Sequence, residues 1–182
     1  QWFEKAAAKN FDLAMSYLGV MYLKGDGVTR DPAQAAQWLQ KAALLGNGNA
    51  MSNIGTMYLK GDGVPQDYTL AVRWYEQAAL KDNAFSMLTL GQLYYNGVGV
   101  PQDYHAALQW LLKAANEGRA DAMNNIATIY SDGLGVPQDY AESKKWLEKS
   151  AAKGNALAMG NLGLMYLNGW GMPVDHKMAI QW

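Results

Sequence analysis

Gly61-Asp62-Gly63-Val64-Pro65-Gln66-Asp67-Tyr68, with Trp74 behind it, returns along the chain at a fixed step of 36 residues. The same loop reads Gly25-Asp26-Gly27-Val28, Gly97-Val98-Gly99-Val100, Gly133-Leu134-Gly135-Val136 and Gly169-Trp170-Gly171-Met172. Trp2, Trp38, Trp74, Trp110, Trp146 and Trp182 keep that step, and only Trp170 is out of it. A period of this size, held without insertion, marks a stacked-repeat array in which each unit packs on its neighbours alone. The functional question becomes which surface of the array receives a partner.

Upstream of each loop lies a pattern such as Ala50-Met51-x-x-Ile54-Gly55-x-x-Tyr58. Spacings of three and four put these residues on one helical face. The place of Gly55 is small in every unit: Gly19, Gly91, Ala127 and Gly163. Glycine inside a helix costs up to about 1 kcal/mol, so its recurrence marks close helix–helix approach. The helix stops at the loop glycines, and Val64 is expected to tuck back into the core. Pro65, Pro101, Pro137 and Pro173 stiffen four of the five loops. Asp31, Asp67, Asp103, Asp139 and Asp175 stand where a second helix needs an acceptor for its first free amides. That helix carries an Ala71, Trp74, Tyr75, Ala78, Ala79 stripe and ends at Gly46, Gly118 or Gly154, with Asp82 less comfortable there. Two helices of about 12 to 14 residues joined by short links form an αα-hairpin, and neither buries its stripe alone.

This frame, Ala-x-x-x-(Leu/Ile)-Gly-x-x-Tyr-x-x-Gly-x-Gly-Val-x-x-Asp, then Ala-x-x-Trp and Ala-Ala-x-x-Gly, closely resembles the Sel-1-like repeat family, relatives of tetratricopeptide repeats. Tetratricopeptide units proper run to 34 residues and lack the Gly-x-Gly-Val loop. Departures are few: Ala127 for Gly, Ser143 and Ser150 for Ala, and Pro32 and His176 where the other units have tyrosine. The chain divides into a half-unit at 1–9, full units at 10–45, 46–81, 82–117 and 118–153, and a truncated unit at 154–182, which reads as a piece of a longer protein. The resemblance implies an all-α fold, a right-handed α-α superhelix whose first helices line a concave groove and whose members mostly act as adaptors for protein partners. Many bacterial members are exported, and others serve as immunity proteins against secreted effectors. A periplasmic or secreted location is therefore favoured by resemblance, although these residues contain no signal peptide.

Composition narrows the chemistry. Half of the 182 residues are apolar and 17% are charged, which is globular rather than disordered composition. A formal net charge of -1 offers no general attraction to polyanions, so nucleic acid is not an expected partner. Without cysteine there is neither a disulfide framework nor a thiolate metal site, and no apolar run approaches the roughly 18 residues of a membrane span. His105 and His176 fall in different units, and no Ser, His and Asp recur together, so neither a metal centre, a cofactor nor a catalytic triad is expected. The glycine loops lack the Lys-Ser/Thr of a phosphate loop and follow a helix, not a strand. Asp26 and Asp62 lack calcium-loop spacing, so turn chemistry explains them better. The Trp and Met stripes recur strictly, as packing positions do, and are read as core.

A binding surface should instead vary between units. By analogy with tetratricopeptide grooves, the variable places on the first helices are Asn49, Ser52, Thr56 and Lys60, then Phe85, Leu88, Gln92, Tyr95 and Asn96, then Asp121, Asn124 and Thr128. They offer an aromatic and aliphatic anchor among amides and hydroxyls, with charge running from Lys24 and Lys60 to Asp132. The expected function is a non-catalytic protein–protein interaction scaffold holding a protein or peptide in that groove, as a regulator or as an immunity protein neutralising a secreted effector. The alternative is a structural array that self-associates end to end through the apolar faces of Trp2, Phe3, Ile180 and Trp182. Trp170, at a loop tip, fits either a partner contact or a cover for the neighbouring unit.

Overall fold

The pattern of spacing three and four resolves into helices throughout residues 2–182, which the computed structural model describes. Gln1, at the head of the half-unit, lies outside them. In chain order they are α1 (Trp2–Ala7), α2 (Asp12–Lys24), α3 (Pro32–Leu44), α4 (Gly48–Lys60), α5 (Tyr68–Ala79), α6 (Ala84–Asn96), α7 (Tyr104–Asn116), α8 (Ala120–Asp132), α9 (Tyr140–Ala151), α10 (Ala156–Asn168) and α11 (His176–Gln181). The described residues contain no strand. Even-numbered helices α2 to α10 are the first helices of their hairpins, and each helix packs chiefly on its neighbours in sequence. The molecule is an all-α solenoid.

The loop that sets the period does three jobs. Gly61 takes φ 71° and its N–H donates to the Met57 carbonyl at 2.8 Å, closing α4, while Asp62 N–H bonds the same carbonyl at 3.1 Å. Asp67 then caps α5, its carboxylate accepting from the Leu70 amide at 2.9 Å. Asp31, Asp103, Asp139 and Asp175 do the same for α3, α7, α9 and α11. The second glycine joins units: a Cβ on Gly99 would lie 2.5 Å from the Tyr68 carbonyl oxygen, at the start of the preceding unit's second helix.

The small place on the first helix is an intra-hairpin contact, as its recurrence implies. A Cβ on Gly91 would sit 2.6 Å from Leu111, and one on Gly19 would sit 2.5 Å from Leu39. The deepest side chains are Leu39, Tyr75, Leu111 and the neighbouring Met57, Leu90 and Ile126. Fully burying such a side chain contributes roughly 1.5–3 kcal/mol.

The tryptophans correct the core assignment. Trp38, Trp74, Trp110 and Trp146 are half-buried, each packed on the core by part of its surface only. The core position is the next residue, Leu39, Tyr75, Leu111 or Leu147. Three of the rings are covered outside by the lysine one turn on: Lys41 Nζ lies 4.6 Å from the Trp38 ring, Lys113 4.1 Å from Trp110 and Lys149 4.2 Å from Trp146. Trp74 has Gln77 at that place.

Candidate protein-binding face

Three of the five first helices, α4, α6 and α10, begin at an asparagine cap that the sequence analysis does not single out. Asn47, Asn83 and Asn155 each cap their own helix through the side-chain oxygen, accepting from the Ala50, Ser86 and Ala158 amides at 2.9–3.0 Å. Their amide nitrogens reach back one unit, to Asp12, Asn49 and Asp121 at 2.9–3.0 Å. Asn49 and Asp121, two of the expected site residues, are therefore exposed members of a clasp between units. Asp121 also accepts from the Arg119 guanidinium at 3.2 Å.

Ser52, Leu88 and Asn124 require a correction. They occupy one register and are only 5%, 5% and 8% exposed, closed off by packing between successive units. Asn124 Oδ1 accepts from Asn161 Nδ2 at 3.0 Å, which ties α8 to α10. None of the three presents a free surface. Thr56 is half-buried, and its hydroxyl lies 2.8 Å from the Tyr75 phenol. Burial pushes the Tyr75 phenol up, and the Thr56 hydrogen bond partly offsets it. Lys60 and Phe85 stand exposed at opposite ends of their helices.

The remaining four converge. Gln92, Tyr95 and Asn96 from α6 and Thr128 from α8, with Asn125, Gly91 and Leu111, line a cavity of about 310 Å³. Glycine at 91 lets the cavity floor reach Leu111. The Tyr95 ring meets Tyr104 edge-on at 5.3 Å, which fixes its direction. Its phenol is pushed up by burial first, then by Asp132 and Tyr104. Asn125 was missed. It lies one residue, about 100° of helix rotation, past the buried Asn124 register, and Asn53, Thr89 and Asn161 hold the same place in other units.

One unit further on, a second cavity of about 250 Å³ repeats this geometry with different residues: Thr128, Ser131, Asp132, Asn161 and Leu164 beside Trp170. Trp170 stacks on Tyr140 at 6.3 Å and 16°, so it covers its neighbouring unit as well as lining the cavity. Among the described residues no cluster of His, Asp and Glu is placed to hold a metal ion, and no helix is long and apolar enough to cross a membrane.

A stack of αα-hairpins with an invariant frame and a varied first-helix face defines an α-solenoid of the repeat-scaffold class. The family is shown by the Sel1 repeat model, which matches residues 1–11, 12–47, 48–83, 84–118, 120–155 and 156–182, and the chain belongs to the Sel1 repeat family. It is similar to a protective antigen with an SLR fold from uropathogenic Escherichia coli, c5321, at 38% identity and TM-score 0.94, over 98% of this chain and 38% of that one. A Sel1 repeat protein from Oxalobacter formigenes matches at 33% identity and TM-score 0.91, over 100% of this chain and 74% of that one. The immunity protein Pa5087 from Pseudomonas aeruginosa shares the fold at 23% identity and TM-score 0.62, over 98% of this chain and 69% of that one. The comparison with curated proteins gave no match. Sel1 repeat proteins generally mediate protein–protein interaction, and their scaffolds are generally non-catalytic.

Proposed function

We propose that this chain is a non-catalytic scaffold that holds a protein or peptide partner against its first-helix face, centred on the cavity between α6 and α8. The observation that carries this is convergence: Gln92, Tyr95, Asn96, Asn125 and Thr128, from two units, meet at one cavity. Gln92, Tyr95, Asn96 and Thr128 stand at places where the sequence varies while the frame around them repeats. Amides and a phenol around an apolar floor suit an extended segment, whose backbone they can hydrogen-bond while a side chain fills the cavity. Neutralising a secreted effector, in the periplasm or outside the cell, is the specific form of this role that we favour. It is supported by the family resemblance and by the immunity proteins that share the fold.

The test is a triple variant, Gln92→Ala, Tyr95→Ala and Asn125→Ala, used beside the parent to capture partners from the source organism. None of the three is in the buried core. We expect the helical signal and Tm to stay within a few degrees, and a partner held by the parent to be weakened at least about tenfold, as loss of a central anchor produces. A variant that folds and binds like the parent overturns the proposal.

A further inference from the structure

The cavity between α8 and α10 differs in kind from the one before it. Of its ten lining residues Asp132 is the one that carries formal charge, and Trp170 forms part of the wall. At the same two places one unit earlier stand neutral Asn96, which lines the preceding cavity, and Leu134, which does not. The described ion pairs do not include Asp132.

The hydrogen bonds around the cavity leave several acceptors free. Thr128 Oγ1 donates its hydrogen to the Asn124 carbonyl at 3.4 Å. Ser131 Oγ has two internal acceptors for its one hydrogen, the Thr128 carbonyl at 3.0 Å and Asp132 Oδ1 at 2.8 Å. Asn161 Nδ2 donates to Asn124 Oδ1 at 3.0 Å, leaving its own Oδ1 to the cavity. The Asp132 carboxylate, the Asn161 amide oxygen and hydroxyl lone pairs of Thr128 and Ser131 remain as acceptors, beside the Ser143 hydroxyl and the Trp170 indole N–H, and Asp132 is the one charge among them. Trp170 is 42% exposed and is held in place on both counts that matter: its ring stacks on Tyr140, and a Cβ on the adjacent Gly171 would strike the Tyr140 side chain.

We infer that this cavity receives an arginine side chain of the protein or peptide partner, with the guanidinium on the Asp132 carboxylate and against the Trp170 ring. A wall whose one charge is a carboxylate, with amide and hydroxyl oxygens beside it, calls for a cation with several donors, and an indole favours a planar one. Guanidinium meets both demands: its five N–H groups form a fork for carboxylate and amide oxygens, and its flat face stacks on aromatic rings. Lysine supplies charge without the plane. The inference rests on the proposed first-helix binding face and specifies one residue of what binds there.

The test uses N-acetylarginine amide as probe against the 15N-labelled chain, with N-acetylcitrulline amide as the neutral isostere and N-acetyllysine amide as the non-planar cation. The Trp170 indole N–H signal, assigned by its loss in Trp170→Leu, is followed through each titration. A saturable shift is expected with the arginine derivative, none with citrulline, and a weaker response with lysine. Asp132→Asn should weaken the arginine response about fivefold. Both variants borrow residues that sibling units carry at the same place, Leu134 and Asn96, so the frame tolerates them. No shift, an equal shift with citrulline or lysine, or an unchanged response in Asp132→Asn overturns the inference. The readout is independent of the Gln92, Tyr95 and Asn125 variant, which leaves this cavity intact, so failure here is distinguishable from failure of the proposed function.

Discussion

Trp74 and Leu111 show what a repeated residue does and does not reveal. Both recur or have equivalents in every full unit, and recurrence alone reads both as core. The tryptophan is half-buried and Leu111 is 1% exposed. Trp74→Ala should therefore cost about 2 kcal/mol, for the part of the ring that leaves water. Leu111→Ala should cost more, about 3 kcal/mol, because it opens a cavity where Gly91 leaves no side chain to collapse inward. Chemical denaturation of the two variants measures this order, and a larger loss at Trp74 contradicts it. Periodicity places a residue on a helix face. It does not say how far across that face the neighbouring helix reaches, which is also why Ser52, Leu88 and Asn124 could be read as open when the next unit covers them.

At the level of the element, most of the hairpin was legible. Glycine has one conformational use at the end of a helix and aspartate one capping use at the start, so Gly97 and Asp103 announce their roles. The asparagine caps of α4, α6 and α10 were not legible because their register is broken by Phe11 and Arg119. The two loop glycines are also unequal in a way the sequence hides. Gly97 needs its φ of 69°, and a Cβ there meets Gln102 at 3.1 Å from its Cβ and 3.2 Å from its backbone nitrogen, within the same loop. Gly99 needs φ 75° and has the Tyr68 backbone carbonyl in the way. Gly97→Ala should cost about 1–2 kcal/mol, the usual left-handed penalty. Gly99→Ala should exceed it, since a junction between units must also separate. Thermal melts of the pair decide the point, and equal losses contradict the junction role.

Over the whole molecule, a fixed frame with a varying face divides stability from recognition. Three core clusters follow one another along the array, with Tyr58 and Trp146 each packed against two of them, and no remote helices need to meet for a unit to hold its shape. Substitutions on the open face then change what is bound with little effect on folding, which is how one scaffold serves different partners. Four of the twelve residues expected at the site converge on the α6–α8 cavity, but variation within a repeating frame marked all twelve alike and did not separate these four from Ser52, Leu88 and Asn124, which packing closes off. Asn125 was not legible either, because asparagine recurs at its place in Asn53 and Asn161, and a residue that repeats reads as frame.

Site-specific photo-crosslinking tests the central claim most directly. A photoreactive residue replaces Asn125 on the open first-helix face, or Arg73 on the exposed side of α5, and the chain is irradiated with each cell fraction of the source organism. The account predicts a discrete heavier adduct from position 125, absent at 73, in the periplasmic or extracellular fraction. Adducts from position 73 alone, or an adduct of twice the chain's own mass, would contradict it.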